Sequence, residues 1–118
     1  MTFKCGQLLL VEFQFTNNVG SKIRPVLVVS EDRFNRGQDV VVVPISSRCD
    51  PNDQFSIIIS DTDPDFPATR LKMSSAIKWS KPFTISGTLV QRKLGVVSGP
   101  TLTRVQDSIC KLFRAHSP

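Results

Sequence analysis

Two apolar runs dominate the pattern of the chain: Val26-Leu27-Val28-Val29 and Val40-Val41-Val42-Val43-Pro44-Ile45. A strand with one wet face alternates apolar and polar positions, and neither run alternates. The pattern therefore predicts two strands buried on both faces. Residues 6–13, with Leu8, Leu9, Leu10, Val11 and Phe13, predict an earlier strand that pairs with residues 26–29. The connection between them, residues 14–24, reads as a long loop, because Asn17, Asn18 and Gly20 tolerate positive φ.

After the second strand, Ser30 is placed to cap a short helical turn through Glu31, Asp32 and Arg33, with Gly37 ending it in a left-handed conformation. The run Ile57-Ile58-Ile59 is expected to form a hairpin with residues 40–45 across the turn-forming Asp50-Pro51-Asn52-Asp53. Residues 61–67 crowd acids and prolines together and read as loop. Further strands are predicted over residues 71–79, 83–85 and 91–97. Ser86 caps a single helical turn between the last two, and Gly95 marks a bulge or tight bend. From residue 100 the period changes, and Leu102, Val105, Ile109, Leu112 and Phe113 recur at helical spacing. Pro100 suits the first turn of that helix, Gly99 or Thr101 its cap, and Lys111 and Arg114 its C-terminal end. The expected fold is mainly β, a small curved sheet sealed by one C-terminal helix, with residues 1–118 as one domain.

Composition adds the sign of the partner. With 40% apolar and 21% charged residues the chain is ordinary globular material. Fifteen Lys and Arg against ten Asp and Glu give a net charge of +5, which selects something anionic: a nucleic acid, an acidic protein or a membrane surface. Cys5, Cys49 and Cys110 are far apart and form no C-x-x-C pair, which points to reduced, buried thiols in a reducing compartment. No signal-peptide pattern is evident, and the apolar runs fall well short of the roughly 18 residues of a membrane helix. A cytoplasmic protein that does not engage membranes is expected.

Several chemistries are excluded. Acid-base catalysis by a histidine pair is impossible with His116 as the sole histidine, and a Ser-His-Asp triad would depend on that residue near the C-terminus. The Cys and His spacing supports no structural zinc site. Asp61, Asp63 and Asp65 resemble a carboxylate cluster, but Pro64 interrupts it and a solvated acidic loop is the simpler reading. Phosphate-cradling glycine motifs are absent, so neither a metal nor a cofactor is expected. What remains is basic and hydroxyl chemistry at the ends of the two buried runs. Pro25 biases Arg24 toward extended geometry and so aims its side chain, although a charged residue shielding a strand start would look the same. Ser46 and Ser47 close the second run. In an extended chain they face opposite ways, and serines at such a place can also simply form a turn.

These residues carry a family likeness. Gly20-x-x-x-Arg24-Pro25-x-Leu27-x-x-Ser30, followed by Val43-Pro44-Ile45-Ser46-Ser47, resembles the MazF/PemK family of toxin endoribonucleases, with their G-x-x-x-R-P and [AP]-I-T motifs. Leu71-x-x-x-Ser75-x-Ile77, Phe83-Thr84-Ile85, Leu94-Gly95 and the terminal helix keep the family's order, so the resemblance spans nearly the whole chain. It implies a compact SH3-like β-barrel, a homodimer, and the toxin role in a type II toxin-antitoxin system. The implied activity is metal-independent cleavage of single-stranded RNA by 2′-OH attack, leaving a cyclic phosphate and a 5′-OH. The implied protein partner is an antitoxin whose acidic or amphipathic tail occupies a basic groove.

By position, Arg24 matches the family's catalytic arginine, Ser46 its threonine, and Ser75 a further serine of the site, with Ser47 in support. Serine for threonine keeps a hydroxyl donor but loses the methyl that restricts its rotamer, so weaker activity is expected. A guanidinium offers paired donors to two phosphate oxygens and holds its own proton tightly, so charge stabilisation is the role expected of Arg24. Lys22, Arg48, Arg70, Lys72 and Lys78 are expected to meet RNA phosphates, and Phe15 or Trp79 to stack on bases. The stretch around Asn17 and Lys22 would set the sequence that is cut. Trp79 equally suits the core or a dimer interface. Two readings of other classes stand beside this one: a non-enzymatic inhibitor of a protein such as gyrase, as the related CcdB toxins are, and an RNA-binding relative that Ser46 has left inactive.

Overall fold

Seven antiparallel strands and a C-terminal helix make up the computed structural model, which describes residues 2–14 and 20–114. β1 (Gln7–Gln14) pairs with β2 (Ser21–Val28) from Leu8↔Leu27 to Gln14↔Ser21. β3 (Asp39–Ser46) pairs with β2 only from Val26↔Pro44 to Val28↔Val42. Two strands share the other edge of β3. β6 (Phe83–Ser86) takes Asp39 to Val42, and β5 (Ser75–Ile77) takes Ile45 and Ser46. β4 (Ile57–Ile59) pairs with β5, and β7 (Val90–Val96) with β1. The order is β4-β5-β3-β2-β1-β7 with β6 off that path, so the sheet stays open at β4 and β7.

The missing alternation has a direct cause. Leu8, Leu27, Val43 and Ile45 face one cluster, together with Trp79 and with Val105 from helix α2 (Gly99–Leu112). Leu9, Val11, Val26, Val28, Val40 and Val42 face a second, closed by Phe3 and Ile85. Each such side chain contributes on the order of 1.5–3 kcal/mol relative to exposure, so both faces hold β2 and β3 in register.

Several expectations need correction. Residues 21–24 are strand, not loop: polar residues there form an edge with β1 on one side only, where Pro25 and its missing N–H are tolerated. The helical turn after β2 is a 3-10 turn at Phe34–Arg36, and Gly37 follows it in extended geometry with φ −79°. Ser30 does not cap that turn; its Oγ donates to the buried Asn35 and accepts from Val41 N. β4 forms its hairpin with β5 and not with β3, whose edge β5 and β6 already occupy. Of residues 71–79 only Ser75–Ile77 is strand, and the acidic loop ends in a single turn, α1 (Phe66–Thr69). Ser98, rather than Gly99 or Thr101, caps α2 by accepting from Thr101 N. Val105 is fully buried and Leu102 and Ile109 pack at the cluster, but Leu112 and Phe113 are exposed. The thiols are not uniformly buried either, since Cys49 and Cys110 are exposed and Cys5 is half-buried. Ser86 does cap its turn, at Gly87–Leu89, through Thr88 N.

Gly95 is where two elements meet. The β1–β7 register slips between Leu8↔Gly95 and Leu9↔Lys93, a bulge at Leu94. There α1 comes so close that a Cβ on Gly95 would lie 2.4 Å from the Ala68 carbonyl oxygen and 2.5 Å from that of Thr69. Backbone cannot rotate away as a side chain can. Gly95→Ala is expected to destabilise by about 1–3 kcal/mol, read as a lower urea midpoint. Gly99→Ala, where an added Cβ meets nothing within 4 Å, is the control and should leave the midpoint unchanged or raise it.

Candidate functional site

β3 parts from β2 at Pro44. Pro44 has no N–H to give, its carbonyl accepts from Lys78 N at 2.9 Å, and Ile45 and Ser46 then pair with Ile77 and Ala76 of β5. A groove of about 430 Å³ opens beside this fork. Its floor includes Leu10, Ile23, Pro25 and Ile45, and its far wall is the segment from Arg70 to Met73. Arg24, Arg70, Lys72 and Arg92 all line it, and no acidic residue does. Four like charges around one groove repel each other, and a bound anion relieves that repulsion. Ile23 and Met73, 53% and 54% exposed, set apolar surface among the cations.

Strand alternation sorts the two serines. Val43, Ile45 and Ser47 share one side of β3, and Ser47 lines the groove with Ile45. Val42 and Ser46 share the other side, that of the second cluster. Arg24 lies opposite Val11 of that cluster, and directly opposed residues share a face, so its Cβ leaves the sheet on the side of Ser46. Val26↔Pro44 is the last pair between β2 and β3; beyond it Arg24 stays paired with Val11 of β1, and Ser46 pairs with Ala76 of β5. Arg24 thus belongs to both the groove and the Ser46 face. Ser46 is half-buried, and its Oγ accepts from Arg48 N at 3.1 Å; among the described residues its hydroxyl donates to no protein acceptor. Ser75 lines the groove, but its hydroxyl donates to Met73 O at 2.9 Å and so anchors the wall.

The other expected contacts divide. Arg70 and Lys72 meet Arg24 at the groove. Lys22, opposite Phe13 on β2, and Arg48, just past β3, are exposed and do not line it. Trp79 is buried in the first cluster with its ring 5.8 Å from that of Phe55, so it is core rather than a stacking platform. Phe15 and Asn17 lie outside the described residues. Arg92 was missing from the expected set because Gln91-Arg92-Lys93 reads as a solvated strand face; its place opposite Leu10 brings it to the groove. Among the described residues no group of three or more His, Cys, Asp or Glu is placed to hold a metal ion, and Asp63 accepts from Ser60 N. No helix among them is long and apolar enough to cross a membrane.

Comparison with known proteins gives a consistent picture. The family model of PemK-like, MazF-like toxins of type II toxin-antitoxin systems matches residues 4–113. No curated protein matches the chain. Among solved structures, an endoribonuclease in complex with its cognate antitoxin from Mycobacterial species is 18% identical with a TM-score of 0.70, over 99% of this chain and 98% of that one. A MazE-MazF complex from Deinococcus radiodurans is 17% identical with a TM-score of 0.73, over 98% and 99%. The Mycobacterium tuberculosis toxin MazF-mt6 is 17% identical with a TM-score of 0.65, over 89% and 95%. At such identities the likeness is one of fold.

Lys78, expected at the anionic partner, is committed elsewhere: its Nζ lies 3.0 Å from Asp53 Oδ2, and both side chains are largely shielded. The Phe55 amide, and after it the Lys78 ammonium, hold the Asp53 carboxyl below the usual carboxylate range. A depressed native value means stability that is present above the unfolded pKa of about 4 and is lost as pH falls through the native value. Asp53→Asn is therefore expected to lower the urea midpoint at neutral pH, with the gap to wild type closing in acid below about pH 4. Lys78→Gln should narrow the same gap while leaving the salt dependence of nucleic-acid binding as in wild type.

Proposed function

The chain belongs to the PemK-like, MazF-like toxins of type II toxin-antitoxin systems, and on that premise we propose that it cleaves single-stranded RNA without a metal, at Arg24 and Ser46. The observation that supports the reading is the fork at Pro44: strand alternation turns Arg24 and the half-buried Ser46 to the same side of the sheet on either side of the fork, and Arg24 also lines the cation-lined groove. In the reaction the ribose 2′-oxygen attacks the adjacent phosphorus. The P–O2′ bond forms, the P–O5′ bond breaks, the 2′ proton passes to solvent, and the departing 5′ oxygen takes up a proton. The products are a 2′,3′-cyclic phosphate and a 5′-OH. Negative charge grows on the non-bridging oxygens along the way. Arg24 meets it with paired donors and Ser46 with its hydroxyl, both held by strands before the substrate arrives.

The partners follow from the same surface. Lys72 and Arg92 hold phosphates flanking the scissile one, with Ile23 and Met73 beneath the unstacked bases. An antitoxin segment that is acidic and apolar would compete for the same groove, and a homodimer acting in the cytoplasm fits the family.

With a long single-stranded RNA in EDTA, wild type is expected to cut and to leave cyclic-phosphate ends. Arg24→Ala should lose on the order of 100-fold or more in rate. Ser46→Ala should slow cleavage more than Ser47→Ala, and Ser46→Thr should match or exceed wild type by restricting the rotamer. RNA bound but never cut would leave only a binding role. Growth arrest through DNA damage without cleavage would favour a gyrase-type inhibitor instead.

A further inference from the structure

Arg70 stands in a backbone conformation that its residue type disfavours. It follows α1 with φ 61° and ψ 16°, the one non-glycine at positive φ among the described residues. Left-handed backbone sets a Cβ against the following carbonyl, and a glycine or asparagine is the usual residue at this end of a helix. The surroundings leave the turn no other course. Arg70 N donates to Pro67 O at 3.2 Å. Thr69, 1% exposed, donates from Oγ1 to Phe66 O at 2.6 Å and accepts from Leu71 N at 3.2 Å. The Ala68 and Thr69 carbonyls press on Gly95, and Ser75 holds Met73 O on the far side.

The guanidinium itself has no structural duty to set against this. Neither ion pair among the described residues includes Arg70, and its side chain is exposed at the groove with Arg24, Lys72 and Arg92. Glycine would suit the backbone better and would give up only the charge. We propose that Arg70 is a dedicated phosphate-binding residue for single-stranded RNA, held on a strained, pinned turn so that its paired donors meet a backbone phosphate next to the one cut. The inference rests on reading the groove as an RNA site. A point charge on a mobile loop would meet the same phosphate more loosely, whereas a guanidinium on a locked turn is already oriented.

The test is Arg70→Gly, with Arg70→Lys beside it and Arg36→Ala, at the other end of β3, as the charge control. Binding is measured across a salt series with a fluorescently labelled, mixed-sequence 2′-O-methyl oligoribonucleotide, which lacks the attacking hydroxyl. Arg70→Gly is expected to bind about tenfold more weakly at low salt, with the slope of log K against log salt reduced by about 0.7. Its thermal midpoint is expected to rise by about 4 °C as the strain is relieved. Arg70→Lys should keep most of the slope and the wild-type midpoint, and Arg36→Ala should keep the slope. A merely structural arginine would not raise stability and weaken binding together. If wild type binds and Arg70→Gly binds equally well, the role of Arg70 is overturned and the RNA reading stands. A midpoint that falls overturns the strain argument. If wild type does not bind the probe at any salt, the RNA reading fails and this inference with it.

Discussion

The structure depends on a strand that cannot stay with both of its neighbours. β3 is buried on both faces, pairs with β2 at one edge and with β6 then β5 at the other, and carries Pro44 where the change happens. Past Pro44 it follows β5, and the polar half of β2 is left with β1 alone. An unpaired strand edge is normally blunted by charge. Here the blunting charges are Lys22 and Arg24, and the second of these also lines the groove that the parting of the strands creates. On the proposed reading, edge protection and anion binding are met by the same residue type, so the position needs no compromise between them.

Legibility in the sequence tracks how local each cause is. The doubly buried runs, the terminal helix and the Ser86 cap were readable because burial on two faces, helical period and a hydroxyl before a turn all act within a few residues. The pairing of β4 with β5 was not readable, since it depends on β5 and β6 having filled the edge of β3 first. Residues 21–24 read as loop for a related reason: with one partner and no buried face they lack the apolar pattern by which strands are recognised. At the site, Arg24, Arg70, Lys72, Ser47 and Ser75 could be named from sequence and do come to one groove. Lys78 and Trp79 could not be sorted from them, because whether a lysine finds an aspartate 25 residues away is decided by the fold. Arg92 was hidden for the opposite reason, in a run of polar residues that looks like plain solvent-facing strand.

The cationic wall and the core are mechanically linked. Gly95 lets α1 lie against the β7 bulge, Thr69 ties the end of α1, and Ser75 ties Met73, so the segment from Arg70 to Met73 is held at both ends by contacts that belong to the fold. Charges held this way repel one another without being able to spread apart. In a flexible loop the repulsion would be relaxed by motion, and an arriving anion would have to order the loop again at its own expense. A fixed wall keeps the repulsion in the free protein, where an anion can relieve it.

Consecutive serines at the end of β3 meet different surfaces, and this constrains how a substrate can lie. Ser47 faces the groove with Ile45, and Ser46 faces the side of Val42 and Val11. On the proposed reading, a strand of RNA whose flanking phosphates sit on Arg70 and Lys72 must pass over the free edge of β2 for its reactive phosphate to reach Ser46. Duplex RNA cannot bend sharply over such an edge, whereas a single strand can, with its bases splayed. Arg24, which lines the groove and has its Cβ on the Ser46 side, lies at that crossing. A preference for single strands then needs no dedicated recognition element: it follows from the two-residue period of β3 and the point at which that strand leaves β2.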